Sequence, residues 1–199
     1  MQMNKKSASA QKTKQRILKV AFKLFADKGY KHVTVDEIVK KARSSKGAFY
    51  NHFPSKDLLI YEHIKDKDER YATLNEEIAK LNTAADKLKY FTNNLFKLLS
   101  ETPELSATLL TMDINHPEIS AMFLDNNRYL YKLLHPIFEA GLSSGEIKSP
   151  LSVAELTEYL LTVTTGVEAR WCIKKCSFDI VPFGNAVADV FIRGLVNEK

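Results

Sequence analysis

The chain has 199 residues and a mass of 22.6 kDa, with 45% hydrophobic and 27% charged residues, the balance of a soluble globular protein with a sizeable core. Its 7 Gly, 6 Pro and 2 Cys are too few for a loop-rich β protein, a collagen or a disulfide-stapled secreted domain. No apolar run reaches the ~18–20 residues of a membrane-spanning helix, and the basic N-terminus lacks the apolar segment of a secretory signal. These features predict a soluble, cytoplasmic protein that does not associate with membranes.

The net charge of +5 is unevenly distributed. Residues 1–56 carry 14 Lys and Arg against 3 Asp and Glu, a surplus of 11, whereas the other 143 residues carry 15 basic and 21 acidic side chains. A basic first quarter joined to an acidic remainder favours contact between that quarter and a polyanion such as nucleic acid. A lysine-rich, solvated surface without a partner is the alternative that charge alone leaves open.

Three helices are predicted in the basic segment, and the second and third of them are short. Residues 1–10 lack an apolar period and are predicted to be unstructured. From about Thr13 apolar residues recur at helical spacing until Gly29, which suits the end of a helix. The run Thr34–Glu37 has the pattern of a capping box and opens a second helix of about eight residues. A third helix is predicted from Ser44 or Ser45 to about His52, since Pro54 prevents its continuation.

The remainder of the chain is also predicted to be helical. Apolar periodicity and the positions of Pro and Gly place six further helices at residues 55–81, 84–100, 103–113, 117–141, 152–175 and 182–197. No alternating strand pattern is present. We therefore expect an all-α fold of about nine helices, divided into an N-terminal three-helix domain at residues 1–56 and a C-terminal helical domain at residues 57–199.

The second and third helices have the arrangement of a helix-turn-helix, in which the second helix of the pair enters the major groove of DNA. Here that helix is Ser45-Lys-Gly-Ala-Phe-Tyr-Asn-His52. Its small residues at the start permit close approach to DNA. The side chains that can donate hydrogen bonds to phosphates or base edges are Lys46, Tyr50, Asn51 and His52. An amphipathic helical hairpin without a DNA-binding function would show the same spacing of apolar residues. It would not be expected to combine that spacing with a large surplus of basic residues and with hydrogen-bond donors on the second helix.

The N-terminal quarter resembles the tetracycline-repressor (TetR/AcrR) family of transcriptional regulators over about residues 13–62. The pattern that carries the resemblance is Ile17-Leu-x-x-Ala21-x-x-Leu-Phe25-x-x-x-Gly-Tyr30, then Thr34-Val-x-x-Ile38, then Ser45-Lys-Gly-x-Phe-Tyr50-x-x-Phe53-x-Ser-Lys56-x-x-Leu59. The resemblance implies a ligand-responsive regulator, a repressor in most of the family, that binds a palindromic double-stranded DNA operator as a homodimer and is released by a small-molecule effector.

The resemblance also implies site residues. The expected DNA-binding positions are Thr34, Arg43, Ser44, Ser45, Lys46, Gly47, Ala48, Tyr50, Asn51, His52 and Lys56. The turn departs from the family pattern, because Arg43-Ser44 stands where Gly-Val is usual. Gly suits a positive φ, so Arg43 is expected either to accept strain or to use a slightly different turn. For Thr34, His52 and Lys56, capping, packing and solvation are the competing roles.

Two further sets of residues are expected in the C-terminal domain. Candidates for the effector site are Phe91, Met112, Phe123, Tyr129, Thr165, Glu168 and Trp171, although most aromatic residues here have core packing as the alternative role. Glu168 can pair with a cationic ligand, with Arg170 or with Arg128. Candidates for the dimer interface are Leu161, Val187, Val190, Phe191, Gly194 and Leu195.

No pattern in the chain indicates catalysis, a metal or a cofactor. Cys172 and Cys176 share a helix face, yet no second Cys or His pair with zinc spacing follows, and buried thiols without redox function are favoured over a redox sensor. Gly-rich phosphate loops, nucleophile elbows and H-E-x-x-H motifs do not occur in the sequence. The rival functions are a helical enzyme or small-molecule carrier with a merely basic N-terminus, and a DNA-binding protein that activates or does not repress.

Overall fold

A computed structural model describes residues 2–56, 58–103, 106–110 and 117–196. Its helices are α1 (Gln2–Lys28), α2 (Val35–Lys41), α3 (Lys46–His52), α4 (Leu58–Ala72), α5 (Asn75–Ala79), α6 (Ala84–Ser100), α7 (Pro117–Phe123), α8 (Tyr129–Ser144), α9 (Val153–Ile173) and α10 (Ile180–Leu195). Residues 106–110 are also helical. The described part of the chain contains no strand, only an isolated bridge between Ile147 and Val196. The all-α prediction is confirmed.

The chain divides into two compact units. The first unit comprises residues 1–65 and 107–123, and the second comprises residues 66–106 and 124–199. Helix α4 is continuous across the first boundary. None of the helices in the described ranges combines the length and the apolar character needed to cross a lipid bilayer.

The first unit is built on the apolar face of α1. Ile17, Ala21 and Leu24 are fully buried, and α1 packs against both α2 and α3. Gly29 ends the helix at a φ of 80°, where its amide donates to the Phe25 carbonyl at 2.8 Å. A 3₁₀ turn at Tyr30–His32 then leads to α2. Fully buried Phe49, on α3, completes this small core.

In the second unit α6 packs against α8 and α10, and α9 packs against the same two helices. Gly184 lets α10 approach Phe96 of α6 closely, because a Cβ at Gly184 would lie 2.6 Å from the Phe96 ring. Glu146 holds the start of α6, since its carboxylate accepts hydrogen bonds from the amides of Ala84 at 2.8 Å and Ala85 at 3.0 Å. These bonds satisfy two of the amides that a helix N-terminus leaves unpaired.

Several predicted boundaries are wrong. Residues 2–10 belong to α1, because Ala, Lys and Gln are strong helix formers whatever the spacing of apolar residues. The helix predicted at 55–81 ends at Ala72, where the Thr73 hydroxyl donates to the Arg70 carbonyl at 2.7 Å, and α5 follows. The helix predicted at 117–141 is interrupted between Phe123 and Tyr129.

The interruption after α7 has a local cause. The Asp125 carboxylate accepts a hydrogen bond from the amide of Asn127 at 2.8 Å, and a side chain that bonds the backbone two residues on favours a turn over a helix. After it, α8 runs three residues past the predicted end and stops at Gly145, which has a φ of 73°. Of the helix predicted at 103–113, residues 104, 105 and 111–113 lie outside the described ranges.

Candidate nucleic-acid interface and effector site

Side-chain caps fix both helices of the predicted helix-turn-helix. The Thr34 hydroxyl accepts a hydrogen bond from the amide of Glu37 at 3.2 Å, and the Ser45 hydroxyl accepts one from the amide of Ala48 at 3.0 Å. Thr34 and Ser45 are the N-cap residues of α2 and α3. The reciprocal half of the predicted capping box is wrong, because the Glu37 carboxylate pairs with Lys28 instead.

Helix α3 buries one face and exposes the other. Phe49 and Phe53 have no exposed surface, and the Tyr50 ring stacks edge-on against Phe49 with 5.3 Å between centroids. On the opposite face Tyr50 is 50% exposed. The predicted DNA contacts that are exposed there are Ser45, Lys46, Gly47, Tyr50 and Asn51, while Ala48 and His52 are half-buried. The structure thus brings five donor-rich or small residues together on one solvent-facing surface, as a recognition helix requires.

Lys46 forms an ion pair on this surface. Its Nζ lies 2.6 Å from an Asp36 carboxylate oxygen on α2, and both side chains are more than 60% exposed. The hydrogen bond and the charge of Asp36 raise the pKa of Lys46. A phosphate or base contact by Lys46 therefore competes with Asp36 for the same ammonium group.

The turn between α2 and α3 contains a left-handed residue. Arg43 is exposed and has a φ of 48°, a conformation in which Gly is unstrained and other residues are not. Arg43 donates its amide to the Lys40 carbonyl at 3.2 Å, and half-buried Ser44 donates its amide to Val39 at 2.9 Å. Arg43 was expected either to accept a strained positive φ or to use a slightly different turn, and the structure has the strained positive φ.

Lys56 reaches back to the first unit's 3₁₀ turn. Its Nζ donates to the carbonyls of Tyr30 at 2.8 Å and Val33 at 3.1 Å, and it lies 4.0 Å from the centroid of the Tyr30 ring. These contacts tie the segment before α4 to the segment before α2. A positioning role for Lys56 was not predicted, because no sequence pattern pairs a lysine with carbonyls 23 and 26 residues away.

The residues expected at the effector site have different environments. Phe91 is fully buried, Tyr129 and Glu168 are half-buried, and Thr165 is exposed. Trp171 is 3% exposed and its indole N–H donates to the Phe178 carbonyl at 2.8 Å. These five lie in the second unit, Phe123 lies in the first, and Met112 is outside the described ranges.

The second unit also contains a polar cluster that the sequence analysis missed apart from Glu168 and Arg128. Asp68 on α4 accepts hydrogen bonds from Arg128 Nη2 at 3.0 Å and from the amide of Tyr129 at 3.1 Å. Lys67 precedes Asp68 by one residue on α4, and Arg70 follows it by two. The Arg70 guanidinium donates two hydrogen bonds of 2.8 Å to the Glu101 carboxylate. One turn after Lys67, Tyr71 is 5% exposed.

Burial is the largest influence on the pKa values of Lys67 and Tyr71. It lowers the pKa of Lys67, against the opposing charge of Glu168 and together with the like charges of Arg128 and Arg70. It raises the pKa of Tyr71 far above its ordinary value. Cys172 lies near Glu168, and burial with the neighbouring Glu168 and Cys176 raises the pKa of its thiol to about 12. Cys172 and Cys176 are free thiols.

The residues expected at the dimer interface lie on α9 and α10. Val190 is 75% exposed, Leu161, Val187, Phe191 and Leu195 are half-buried, and Gly194 is exposed with no atom within 4 Å of the position that a Cβ would take. Tyr159 on α9 and Phe183 on α10 add further exposed aromatic surface. The two helices therefore present apolar surface that the described residues of this unit leave uncovered.

Comparison with known proteins accounts for nearly the whole chain. Residues 17–63 match the family described as bacterial regulatory proteins of the tetR family, and residues 65–194 match the C-terminal region of YsiA-like proteins. The fatty acid metabolism regulator protein of Bacillus subtilis (strain 168) is 24% identical over 185 residues, covering 92% of this chain and 95% of that protein.

Solved structures share the fold. The fatty acid degradation regulator FadR from Bacillus halodurans has a TM-score of 0.80 at 22% identity, covering 91% of this chain and 98% of its own. FadR from Bacillus subtilis, in complex with stearoyl-CoA, has a TM-score of 0.75 at 24% identity with the same coverage. The family matches, together with the capped helix pair and its exposed recognition face, lead to one conclusion: the chain belongs to the TetR family of bacterial regulatory proteins and is a ligand-responsive transcriptional repressor.

Proposed function

We propose that this repressor binds a palindromic operator as a homodimer and is released from it by a long-chain acyl-coenzyme A. Residues 1–56 bind DNA, and residues 57–199 bind the effector and dimerise. The protein acts in the cytoplasm, where operator and effector both occur, and it has no enzymatic activity. The observation that carries the DNA-binding half is the exposed face of α3, opposite the buried Phe49 and Phe53.

The dimer is supported by the uncovered apolar surface of α9 and α10. A soluble protein rarely leaves a contiguous apolar face exposed, and Gly194 permits another helix to approach closely. A two-fold axis through this face supplies two α3 helices, and the operator half-sites should lie ~34–36 Å apart. One half-site alone offers too few contacts for tight binding.

The class of effector is supported by the relatives. The Bacillus subtilis relative is a fatty acid metabolism regulator, and the structure of FadR from that organism contains stearoyl-CoA. An acyl chain is matched by the apolar interior of the second unit, which includes Phe91, Phe96 and Phe138. The effector must bind the released state more tightly than the DNA-bound state, by about 5.5 kcal/mol for near-complete switching.

The test uses the full chain and DNA selected by it from a random pool. Light scattering gives the mass, fluorescence anisotropy gives the affinity for the selected DNA, and palmitoyl-CoA or coenzyme A is then added. We expect a dimer, a palindromic selected sequence, and at least a tenfold loss of affinity with palmitoyl-CoA but none with coenzyme A. Operator binding that palmitoyl-CoA leaves unchanged refutes the effector class, and failure to select any DNA refutes the DNA-binding assignment.

A further inference from the structure

Two hydrogen-bond donors in the second unit lack an acceptor. Among the described residues, neither the Lys67 ammonium nor the Tyr71 hydroxyl has a hydrogen-bond or ion-pair partner. The two side chains are four residues apart on α4 and therefore occupy the same face of that helix. Neither polar atom is among the described side-chain atoms that are both fully enclosed and without a partner. Both donors therefore remain accessible to an acceptor that the chain itself does not supply.

The surroundings of this pair are interior. Tyr71 is 5% exposed and belongs to the hydrophobic core of the second unit, with its ring 5.9 Å from that of Phe91. Lys67 retains some accessible surface, yet burial is the largest influence on its pKa. A largely buried donor that keeps some accessible surface can be reached by a bound molecule.

The charges around the pair point to an acceptor with negative character. Arg128 is engaged by Asp68 through Nε at 3.2 Å and Nη2 at 3.0 Å, and Arg70 is engaged by Glu101. Glu168 is the carboxylate whose charge raises the pKa of Lys67 and favours its ammonium form. A buried ammonium without a paired carboxylate is costly, and an oxygen acceptor supplied by a ligand removes that cost.

We infer that Lys67 and Tyr71 bind the acyl oxygen of the effector, a carboxylate of a fatty acid or the thioester carbonyl of an acyl-CoA, with the acyl chain directed into the apolar core beside Phe91. This inference rests on the proposed function. It names the residues that select the ligand and the atom they recognise. Lys67 supplies charge and up to three donors, and Tyr71 supplies one neutral donor.

The experiment measures ligand binding to Lys67→Met and Tyr71→Phe by calorimetry, with the full chain and four probes: palmitoyl-CoA, palmitate, coenzyme A, and S-hexadecyl-CoA, a thioether that lacks the acyl oxygen. Matched controls are Lys65→Met and Tyr61→Phe, which change an exposed lysine and an exposed tyrosine of the same helix. Thermal melts and operator affinity without ligand check that each variant is folded.

We expect the Kd of palmitoyl-CoA to rise at least tenfold in Lys67→Met and several-fold in Tyr71→Phe, with both control variants like the unaltered protein. S-hexadecyl-CoA should bind the unaltered protein more weakly and should be insensitive to both substitutions. Lys67→Met should melt at the same temperature or higher, because it removes an unpaired buried charge. If palmitate shows the same sensitivity, the free acid is the source of the oxygen; if only palmitoyl-CoA does, the thioester is.

Three results overturn the inference. Binding of palmitoyl-CoA by both variants at unaltered affinity excludes the two donors while leaving the proposed function intact. An equal loss for palmitoyl-CoA and S-hexadecyl-CoA assigns the donors to the coenzyme's phosphates. If the unaltered protein binds neither acyl probe, both the inference and the proposed effector class fail, and DNA binding then stands or falls by its own assay.

Discussion

Replacement of Arg43 by Gly tests two properties of the turn between α2 and α3 separately: the backbone strain at Arg43, through stability, and the expected contact of Arg43 with DNA, through affinity. A non-glycine residue in the left-handed region costs about 1–2 kcal/mol, and Arg43 has a φ of 48°. Gly relieves that cost but has more freedom to lose on folding, worth about 0.5–1 kcal/mol. We therefore expect Arg43→Gly to raise the free energy of unfolding by about 0.5–1 kcal/mol.

Lys175→Gly is the matched control. Lys175 is also an exposed cation, with a φ of 53°, and it follows α9 in the second unit. Both variants should gain similar stability, which for a chain of this size is a rise of about 1–4 °C in melting temperature. Urea unfolding at one fixed protein concentration measures it, because the stability of an oligomer depends on concentration.

The two variants should differ in DNA binding. If Arg43 contacts a phosphate, its loss weakens binding about equally for all DNA sequences and reduces the dependence of log K on log salt by about 1 per contact. Lys175→Gly should leave anisotropy titrations with operator DNA unchanged. Destabilisation of both variants refutes the strain argument, and unchanged affinity and salt dependence in Arg43→Gly refute the phosphate contact.

Four other predictions concern the DNA surface, the dimer and a helix cap. Tyr50→Ala should weaken operator binding by about 1–3 kcal/mol in mobility shifts without loss of helicity by circular dichroism; full-strength binding means that another element reads the bases. Binding by the dimer should show a salt slope of roughly −5 to −9 if each head meets ~3–5 phosphates, and a slope near zero excludes this mode. Phe191→Asp should give monomers by light scattering with a preserved melt; a dimeric variant contradicts the interface, and an unfolded one assigns Phe191 to the core. Glu146→Gln should lower the free energy of unfolding by about 1–2 kcal/mol, since it weakens two charge-assisted bonds to α6; an unchanged urea midpoint contradicts the capping role.

The helix-turn-helix was predictable because its signals are local. The Ser45 cap, the helix end at Gly29 and the buried face at Phe49 each depend on residues within four positions of one another. The break at Thr73 and the start of α1 at Gln2 were missed, since good helix formers surround both.

The polar residues of the second unit were not predictable in the same way. Lys67 and Tyr71 belong to a charged stretch of α4 that has the composition of a solvated helix. Their burial depends on helices 60–100 residues later in the chain, which bring Arg128 and Glu168 near them. Sequence periodicity carries no information on such distant packing, so no role was predicted for these two residues.

If Lys46 contacts DNA as we propose, its ion pair with Asp36 makes that carboxylate a competitor of the DNA for the Lys46 ammonium. At a non-specific site, Lys46 exchanges the Asp36 carboxylate for a DNA phosphate, and replacing one anion by another changes the free energy of binding little. The released Asp36 carboxylate then repels the DNA backbone. Only a site that gives Lys46 a well-aligned base or phosphate partner compensates for that repulsion. The ion pair should therefore lower the affinity for non-specific DNA more than it lowers the affinity for the operator. A protein without Asp36 should hold DNA more tightly and discriminate less.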